Sequence, residues 1–335
     1  MKPRLKDVAA EVGVSAATVS RVLNGRDGVS SETARRIHEV VDRLGYVPPS
    51  TRRLHRKGLV GLIVPELTNP VFPLFAQEIE TALAARGLTT VLCTSTYGGV
   101  PEDEYVATLL DRGVSGMVFV SGRHADTTAD HRLYHDLVER DLPLVLVNGY
   151  VEGLDALFLS SDEARAVEIA VDHLTELGHR RIGFASGPRR LRPAERRFVG
   201  YRRAYLQHHP DADEAFAIET DYTVDGGAAA AALLLERGVT AVVMGSDLMA
   251  LGAYRHLRDR GLPVPEHLSI VGYDDAAPIQ YVDPPLTTIR QAIPAIAGEA
   301  ADALHDHIAR KVRQHGERMF TPELVVRGST APPRS

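Results

Sequence analysis

Cysteine is almost missing from this chain, with Cys93 the one example among 335 residues. That excludes an intramolecular disulfide and any cysteine-built metal cluster, and it suits a reducing compartment. Cys93 itself has no recognisable partner base, so it is expected to be buried rather than nucleophilic. Lysine is also scarce, four residues in all, and arginine carries nearly all the positive charge; this reflects genome composition rather than function. Long apolar runs are missing. No stretch approaches the roughly 18 apolar residues of a membrane span, and the N-terminus, MKPRLKDVAAEVG, lacks the apolar core of a secretory signal. Nucleotide fingerprints are missing too: neither G-x-G-x-x-G nor G-x-x-x-x-G-K-[ST] occurs. HRLYH (131–135) spaces two histidines at i, i+4, but without H-E-x-x-H or a third ligand it reads as a solvated helix face. His305 and His307 are two apart and do not share a helix face. No catalytic constellation emerges, and neither an enzyme, a cofactor nor a metal is expected.

What is present is an ordinary globular composition, 44% hydrophobic and 24% charged, on a chain long enough for two or three domains. The net charge of −6 conceals a partition. Residues 1–57 hold twelve basic and six acidic side chains, whereas the remainder holds 26 basic and 38 acidic. A small cationic head on a large acidic body is the asymmetry expected when one end meets a polyanion.

The head has a readable pattern. LKDVAAEV (5–12) is a helix that Gly13 can end. Ser15 sits where its hydroxyl can cap the next helix, whose Val19, Val22 and Leu23 form a buried stripe. The opposite face carries Ala17, Ser20, Arg21 and Asn24. SETARRIHEVVDRL (31–44) makes a third helix, capped by Ser30, with Ile37, Val40, Val41 and Leu44 inward. Two short helices about a tight turn with a third behind them make a helix-turn-helix. An alanine can touch a thymine methyl and an arginine can fork onto guanine, so Ala16, Ala17 and Arg21 are assigned to bases. Ser15, Thr18 and Ser20 are short hydroxyl donors suited to phosphates.

LKDVAAEVGVSAATVSRVLNG followed by VSSETARRIHEVVDRLGYVP resembles the DNA-binding domain of the lactose-repressor/galactose-repressor (LacI/GalR) family, without a gap from Leu5 to Pro48. The resemblance implies the same base-reading positions. It also implies that the segment PPSTRRLHRK (48–57) folds on DNA as a short hinge helix, with Leu54 as a wedge between base pairs in the minor groove. Here the sequence departs from the family: the segment is one residue shorter, and Pro49 stands where asparagine is usual.

Beyond residue 58, short apolar runs alternate with helical patterns. Strands are expected at 59–64, 89–94, 116–120, 143–147, 181–185, 240–245 and 268–273, arranged in parallel sheets with both faces covered. LLDRGVSGMVFVSG (109–122) echoes LLERGVTAVVMGSD (234–247), which suggests two lobes of like architecture. Open parallel sheets bind ligands beyond the carboxyl ends of their strands, where the echoed segments finish at Ser121–Gly122 and Ser246–Asp247. The cleft between the lobes is the natural ligand site.

The family resemblance continues through VGLIVPELTNPVF, VDHLTELGHRRIGFASGP, SDLMALGAYRHLRDRGLPVPEHLSIVGYDD and PPLTTIRQ. It implies effector contacts at Phe72, Asn148, Arg197, Tyr222, Ser246, Asp274 and Gln291. The chemistry suits a polyhydroxylated ligand: Asp274 offers acceptor oxygens, Arg197 a fork of donors, and Phe72 and Tyr222 flat apolar faces. Ser246 replaces a common asparagine, and SSDEAR (160–165) replaces the more usual D-N-x-x-G, so the effector is not inherited from the family.

The expected organisation is a helix-turn-helix domain (1–47), a hinge (48–57) and a two-lobed body of Rossmann-like parallel sheets resembling periplasmic binding proteins (58–331). Lobe one takes about 58–158 plus 290–319, and lobe two about 159–289 plus 320–331. The expected function is transcription regulation, most simply repression, by a cytoplasmic, nucleoid-associated homodimer on a palindromic operator in double-stranded DNA, controlled by a small sugar-like effector and without contact to a membrane. The end, TAPPRS, carries no heptad tail, favouring a dimer over a tail-assembled tetramer. The alternatives are an activator answering a sugar or nucleoside, a solute-binding protein with no regulatory role, and an enzyme on a doubly wound fold. The cationic head predicts operator affinity that falls steeply with salt; a salt titration by fluorescence anisotropy checks this, and a flat profile would contradict it.

Overall fold

The structure, a computed structural model, describes residues 5–23, 29–44, 58–95, 98–210 and 216–334. The head comprises α1 (Leu5–Val12), α2 (Ala16–Leu23) and α3 (Ser31–Leu44). Their apolar stripes meet in a small core of Val8, Ala9, Val12, Val19, Ile37, Val40 and Val41. Gly13, at φ +79°, turns the chain out of α1, and both its N–H and that of Val14 donate to Ala9 O. A residue with no Cβ takes that left-handed conformation at no steric cost. Ser15 then caps α2 by accepting the Thr18 N–H at 3.0 Å. Across the head, Arg43 pairs with Glu11 at 2.7 Å.

The body contains two six-stranded sheets of matching order. The first is built from β1 (Leu59–Val64), β2 (Thr89–Thr94), β3 (Gly116–Val120), β4 (Leu144–Val147), β5 (Leu157–Ser161) and β11 (Gly316–Phe320). Their order is β11-β5-β4-β3-β1-β2, with every pairing parallel. Alternate residues serve opposite faces, as a two-residue period dictates. Val60, Leu62 and Val64 pack under α4 (Val71–Ala84) and α11 (Ile293–Arg310). Ile63, Met117 and Phe119 pack under α5 (Glu102–Arg112) and α6 (Arg132–Glu139).

The second sheet has the order β12-β10-β9-β8-β6-β7, from β6 (Ile182–Ser186), β7 (Phe216–Glu219), β8 (Ala241–Met244), β9 (Ser269–Asp274), β10 (Thr287–Arg290) and β12 (Glu323–Val325). Only the β12–β10 pairing is antiparallel among those described. One face is covered by α7 (Glu163–Glu176) and α8 (Arg192–His208), the other by α9 (Val224–Glu236) and α10 (Asp247–Arg258). Gly227 and Gly252 allow α9 and α10 to approach closely, since a Cβ at either would collide with backbone of the other helix.

The chain passes between the sheets at 161–163, 290–293 and 320–323. Two of these crossings are tied together by the Asp162 N–H donating to Phe320 O at 2.9 Å. Ser161 and Gln291, from different crossings, also bond at 2.9 Å.

Strands β5, β7, β10, β11 and β12 go beyond those expected from the sequence. Edge position explains part of this: β11 reads GERMF, with mostly exposed side chains, and β12 is three residues long. β5, LFLSS, is buried throughout, but its apolar run stops after three residues at two serines. His131 also differs from expectation. Instead of lying on a solvated helix face it precedes α6 half-buried, and its Nε2 lies 3.2 Å from Arg123 O and 2.9 Å from Asp126 O. The ring braces a turn that a helical reading of HRLYH does not anticipate. Cys93 is buried. No helix among the described residues is long and apolar enough to cross a membrane.

Candidate functional site

Two surfaces hold the residues singled out from the sequence. On the head, Val19 is fully buried while Ser15, Ala16, Ala17 and Arg21 are exposed and Thr18 and Ser20 half-buried. The α2 surface therefore presents two methyl groups and a guanidinium outward. Ser15 and Thr18 also serve the helix itself, their hydroxyls lying 2.8 Å apart at the cap. The uncompensated N–H groups of that first turn favour an anion nearby. Leu54 lies outside the described residues.

In the body, one cavity of about 300 Å³ is lined by Phe72, Asn148, Arg197, Tyr222, Ser246, Asp274 and Gln291 together. Phe72 and Asn148 come from the first lobe, and the other five from the second lobe and the crossings. Asn148, Ser246, Asp274 and Gln291 lie at or just beyond strand ends, where the helices that follow leave a crevice. Ser121, where the first echoed segment finishes, lines it too, and Pro65, Glu66, Asn69, Leu191 and Gly245 join it without having been singled out from the sequence. Their side chains carry no pattern of their own; the strand ends deliver them.

Arg197 is buried in α8, where a lone cation would be costly. Its Nε donates to Glu163 and its Nη1 donates to Gly245 O at 2.6 Å. The guanidinium lies 3.6 Å from the centroid of the Tyr273 ring, whose hydroxyl donates to the same Glu163 oxygen at 2.6 Å. Burial works against the charge, but Glu163 and Tyr273 outweigh it and raise the Arg197 pKa further. Glu163 was not selected from the sequence. It lies in SSDEAR, and that departure from D-N-x-x-G supplies the arginine's counterion.

Asp274 ends β9 at φ +119°, followed by Asp275 at +57°. Such conformations persist only where the surroundings hold them, and here several groups do. Gln291 Nε2 donates to Asp274 Oδ1 at 2.8 Å. Asp275 accepts from Arg290 and Arg327, each at 2.6 Å. Asp247, in the first turn of α10, accepts the Ala276 N–H at 2.8 Å and the Thr288 hydroxyl at 2.6 Å. Burial raises the Asp274 pKa far above the usual carboxylate range, and the nearby Asp247 adds to this. Burial likewise pushes Asp247 up to about 7, against the two hydrogen bonds it accepts.

The remaining residues have mixed duties. Ser246 caps α10 by accepting the Met249 N–H at 3.2 Å, so its hydroxyl is partly committed to the fold. Tyr222 lies against Gly187, where a side chain would overlap the ring, and its hydroxyl is 3.1 Å from Ser186 Oγ. Asn148 adopts φ +59° and keeps a buried Oδ1 with no partner. An orphaned acceptor in a cavity wall is a place for a donor to bind. The lobes also touch directly: Arg190 Nε meets Asp126 at 3.0 Å, and the Thr127 N–H donates to Arg190 O at 2.8 Å. Among the described residues, no cluster of His, Cys, Asp and Glu could hold a metal.

Residues 4–49 match the model of bacterial regulatory proteins of the lacI family, and residues 171–330 match that of a periplasmic binding protein-like domain. An uncharacterised HTH-type transcriptional regulator from the aml 5′ region of Streptomyces limosus is 53% identical, over 98% of this chain and 95% of that one. The chain belongs to the LacI family of bacterial regulatory proteins. It is a DNA-binding transcriptional regulator, not an enzyme. Among solved structures, a transcriptional regulator CelR–cellobiose complex is 32% identical, with a TM-score of 0.73 over 98% of this chain and 100% of that one. The lac repressor dimer bound to operator and an anti-inducer is 26% identical, with a TM-score of 0.76 over 99% and 100%. This LacI-family chain thus has the family's fold, a helix-turn-helix head and a body of two parallel-sheet lobes.

The buried Asp247 gives the body a pH signature. Its pKa in the folded state lies well above the ordinary value near 4. The stability it contributes is thus complete below about pH 4 and lost as pH rises through about 7. Asp247→Asn removes that ionisation, so its melting temperature relative to the unsubstituted protein should improve from pH 5 to pH 8. Differential scanning fluorimetry across that range checks this; a constant difference would refute it.

Proposed function

We propose that this LacI-family regulator is a repressor that acts as a cytoplasmic homodimer on a palindromic operator and responds to a sugar bound between its lobes. The observation that carries the reading is the convergence of seven side chains from both lobes on one cavity. They combine a fixed guanidinium, carboxyl and amide oxygens, and two aromatic faces, the complement a polyhydroxylated ring requires. Arg197 supplies donors, Asp274 and the orphaned Asn148 Oδ1 accept from ring hydroxyls, and Phe72 and Tyr222 cover the C–H faces. The relatives support the same reading: CelR is bound to cellobiose, and the lac repressor is a dimer on its operator.

On DNA, Ala16 and Ala17 approach thymine methyls, Arg21 forks onto a guanine, and Ser15, Thr18 and Ser20 bind phosphates. Leu54 is the wedge of the hinge segment. A sugar that fits one lobe arrangement better than another shifts the dimer between operator-binding and released states by that difference alone, typically 1–3 kcal/mol.

Fluorescence-anisotropy titration of an operator duplex, with and without sugar, tests both surfaces. Asp274→Ala should abolish the sugar response and leave operator affinity unchanged; a normal response in this variant would remove the cavity from the mechanism. Arg21→Ala should cost about 1–3 kcal/mol and relax one base position; unchanged specificity would remove Arg21 from base reading.

A further inference from the structure

The effector cavity does not close at its outer end. A second pocket of about 420 Å³ adjoins it and shares Pro65, Ser121 and Leu191 with it. We propose that this outer pocket is a second sugar subsite, so that the effector is a disaccharide or longer oligosaccharide with one ring in the inner cavity and the next against the carboxyl edge of lobe one. The proposal rests on the sugar reading and deepens it.

Size favours two rings. The inner cavity sits at the lower end of the range of roughly 300–1,000 Å³ that ligand sites occupy, and the outer pocket is the larger of the two. The lining also suits a pyranose. Asp103 and Arg123, paired with each other at 2.6 Å, keep further lone pairs and N–H groups for ring hydroxyls. Ser95 adds a hydroxyl and Pro101 an apolar surface, while Asp126 is held by Thr128 and Arg190.

The wall is built to hold its shape. Glu102 is 5% exposed and accepts the Tyr134 hydroxyl at 2.5 Å and the Arg123 N–H at 3.3 Å. The Tyr134 hydroxyl in turn accepts the His124 N–H at 2.9 Å. A Cβ at position 122 would come within 2.5 Å of Glu102 Oε2, so the wall backbone lies directly on the carboxylate. Burial raises the Glu102 pKa, and the hydrogen bonds from Tyr134 and the Arg123 backbone act against that rise. A connected buried polar network fixes the geometry of what it supports, and a fixed polar surface lowers the cost of ordering a ligand. This network supports the segment Ser121–Arg123, which begins with the last two residues of the echoed motif and of which the inner cavity uses only Ser121.

The outer pocket also reaches the contact between the lobes. Asp126 and Leu191 form an isolated β-bridge, Asp126 pairs with Arg190, and both bridge residues line the outer pocket. A ligand long enough to enter it rests on lobe one while touching the segment of lobe two that crosses the cleft. Chain length is thereby coupled to the lobe arrangement.

Isothermal titration of the full-length protein with monosaccharides (glucose, galactose, ribose) and disaccharides (maltose, cellobiose, lactose) tests this. At least one disaccharide should bind about tenfold or more tighter than its constituent monosaccharides. Asp103→Ala, at an exposed side chain, should erase most of that preference, and Ser95→Phe, which fills the pocket, should erase all of it. Neither should change monosaccharide affinity. Monosaccharides binding as tightly as every disaccharide, or both variants weakening the two classes equally, would overturn the subsite while leaving the inner cavity standing. Failure of every sugar to bind the unsubstituted protein would overturn the sugar reading and the subsite with it.

Discussion

A guanidinium cannot be held out of water without a partner of opposite charge, and the ligand-binding half of this protein is organised around that requirement. Arg197 reaches the cleft from α8, and Glu163 meets it from the first residue of α7, two residues after the chain leaves the first sheet. Tyr273, beneath the guanidinium, donates to the same carboxylate and directly precedes Asp274. Removing the carboxylate would strand a buried cation, a far larger penalty than the loss of one contact. The crossing, the β9 end and the cavity wall are thus one electrostatic unit. Because Glu163 already balances Arg197, the cavity suits a neutral ligand better than an anionic one.

The echo between residues 109–122 and 234–247 has a topological basis. β3 lies between β1 and β4 in its sheet, and β8 lies between β6 and β9 in the other. The two sheets correspond strand for strand, so the echoed segments occupy equivalent places and both deliver small polar residues to the cleft. The correspondence fails at the last strand, where β11 runs parallel to its neighbour and β12 antiparallel. Two residues separate β11 from β12, and no room remains there for a helical crossover.

Much of this was legible in the sequence, for identifiable reasons. Central strands such as LVGLIV and GMVFV are continuous apolar runs bounded by glycine or proline, and the head's stripes repeat at helical spacing. Edge strands such as GERMF lack that signal because one side faces water. The seven cavity residues came from family resemblance, and for Ser246 also from the rule that ligands sit beyond strand ends. Glu163 stayed hidden, and Asp247 was placed at a strand end without its role, because those roles depend on partners distant in sequence: Arg197 and Tyr273 for one, Ala276 and Thr288 for the other. No local pattern marks a carboxylate whose partner lies 110 residues away. His131 shows the converse, a suggestive spacing whose ring only braces a loop.

The three crossings between the sheets are one or two residues long, and two of them are cross-bonded at Asp162 and Phe320. Straps this short act as an axle: the lobes can pivot about it, but they cannot slide apart. Whatever occupies the cleft is therefore registered as an angle between two rigid plates. Gln291, carried on one of the straps, bonds to Ser161 on another and to Asp274, and so joins the axle to the cavity wall.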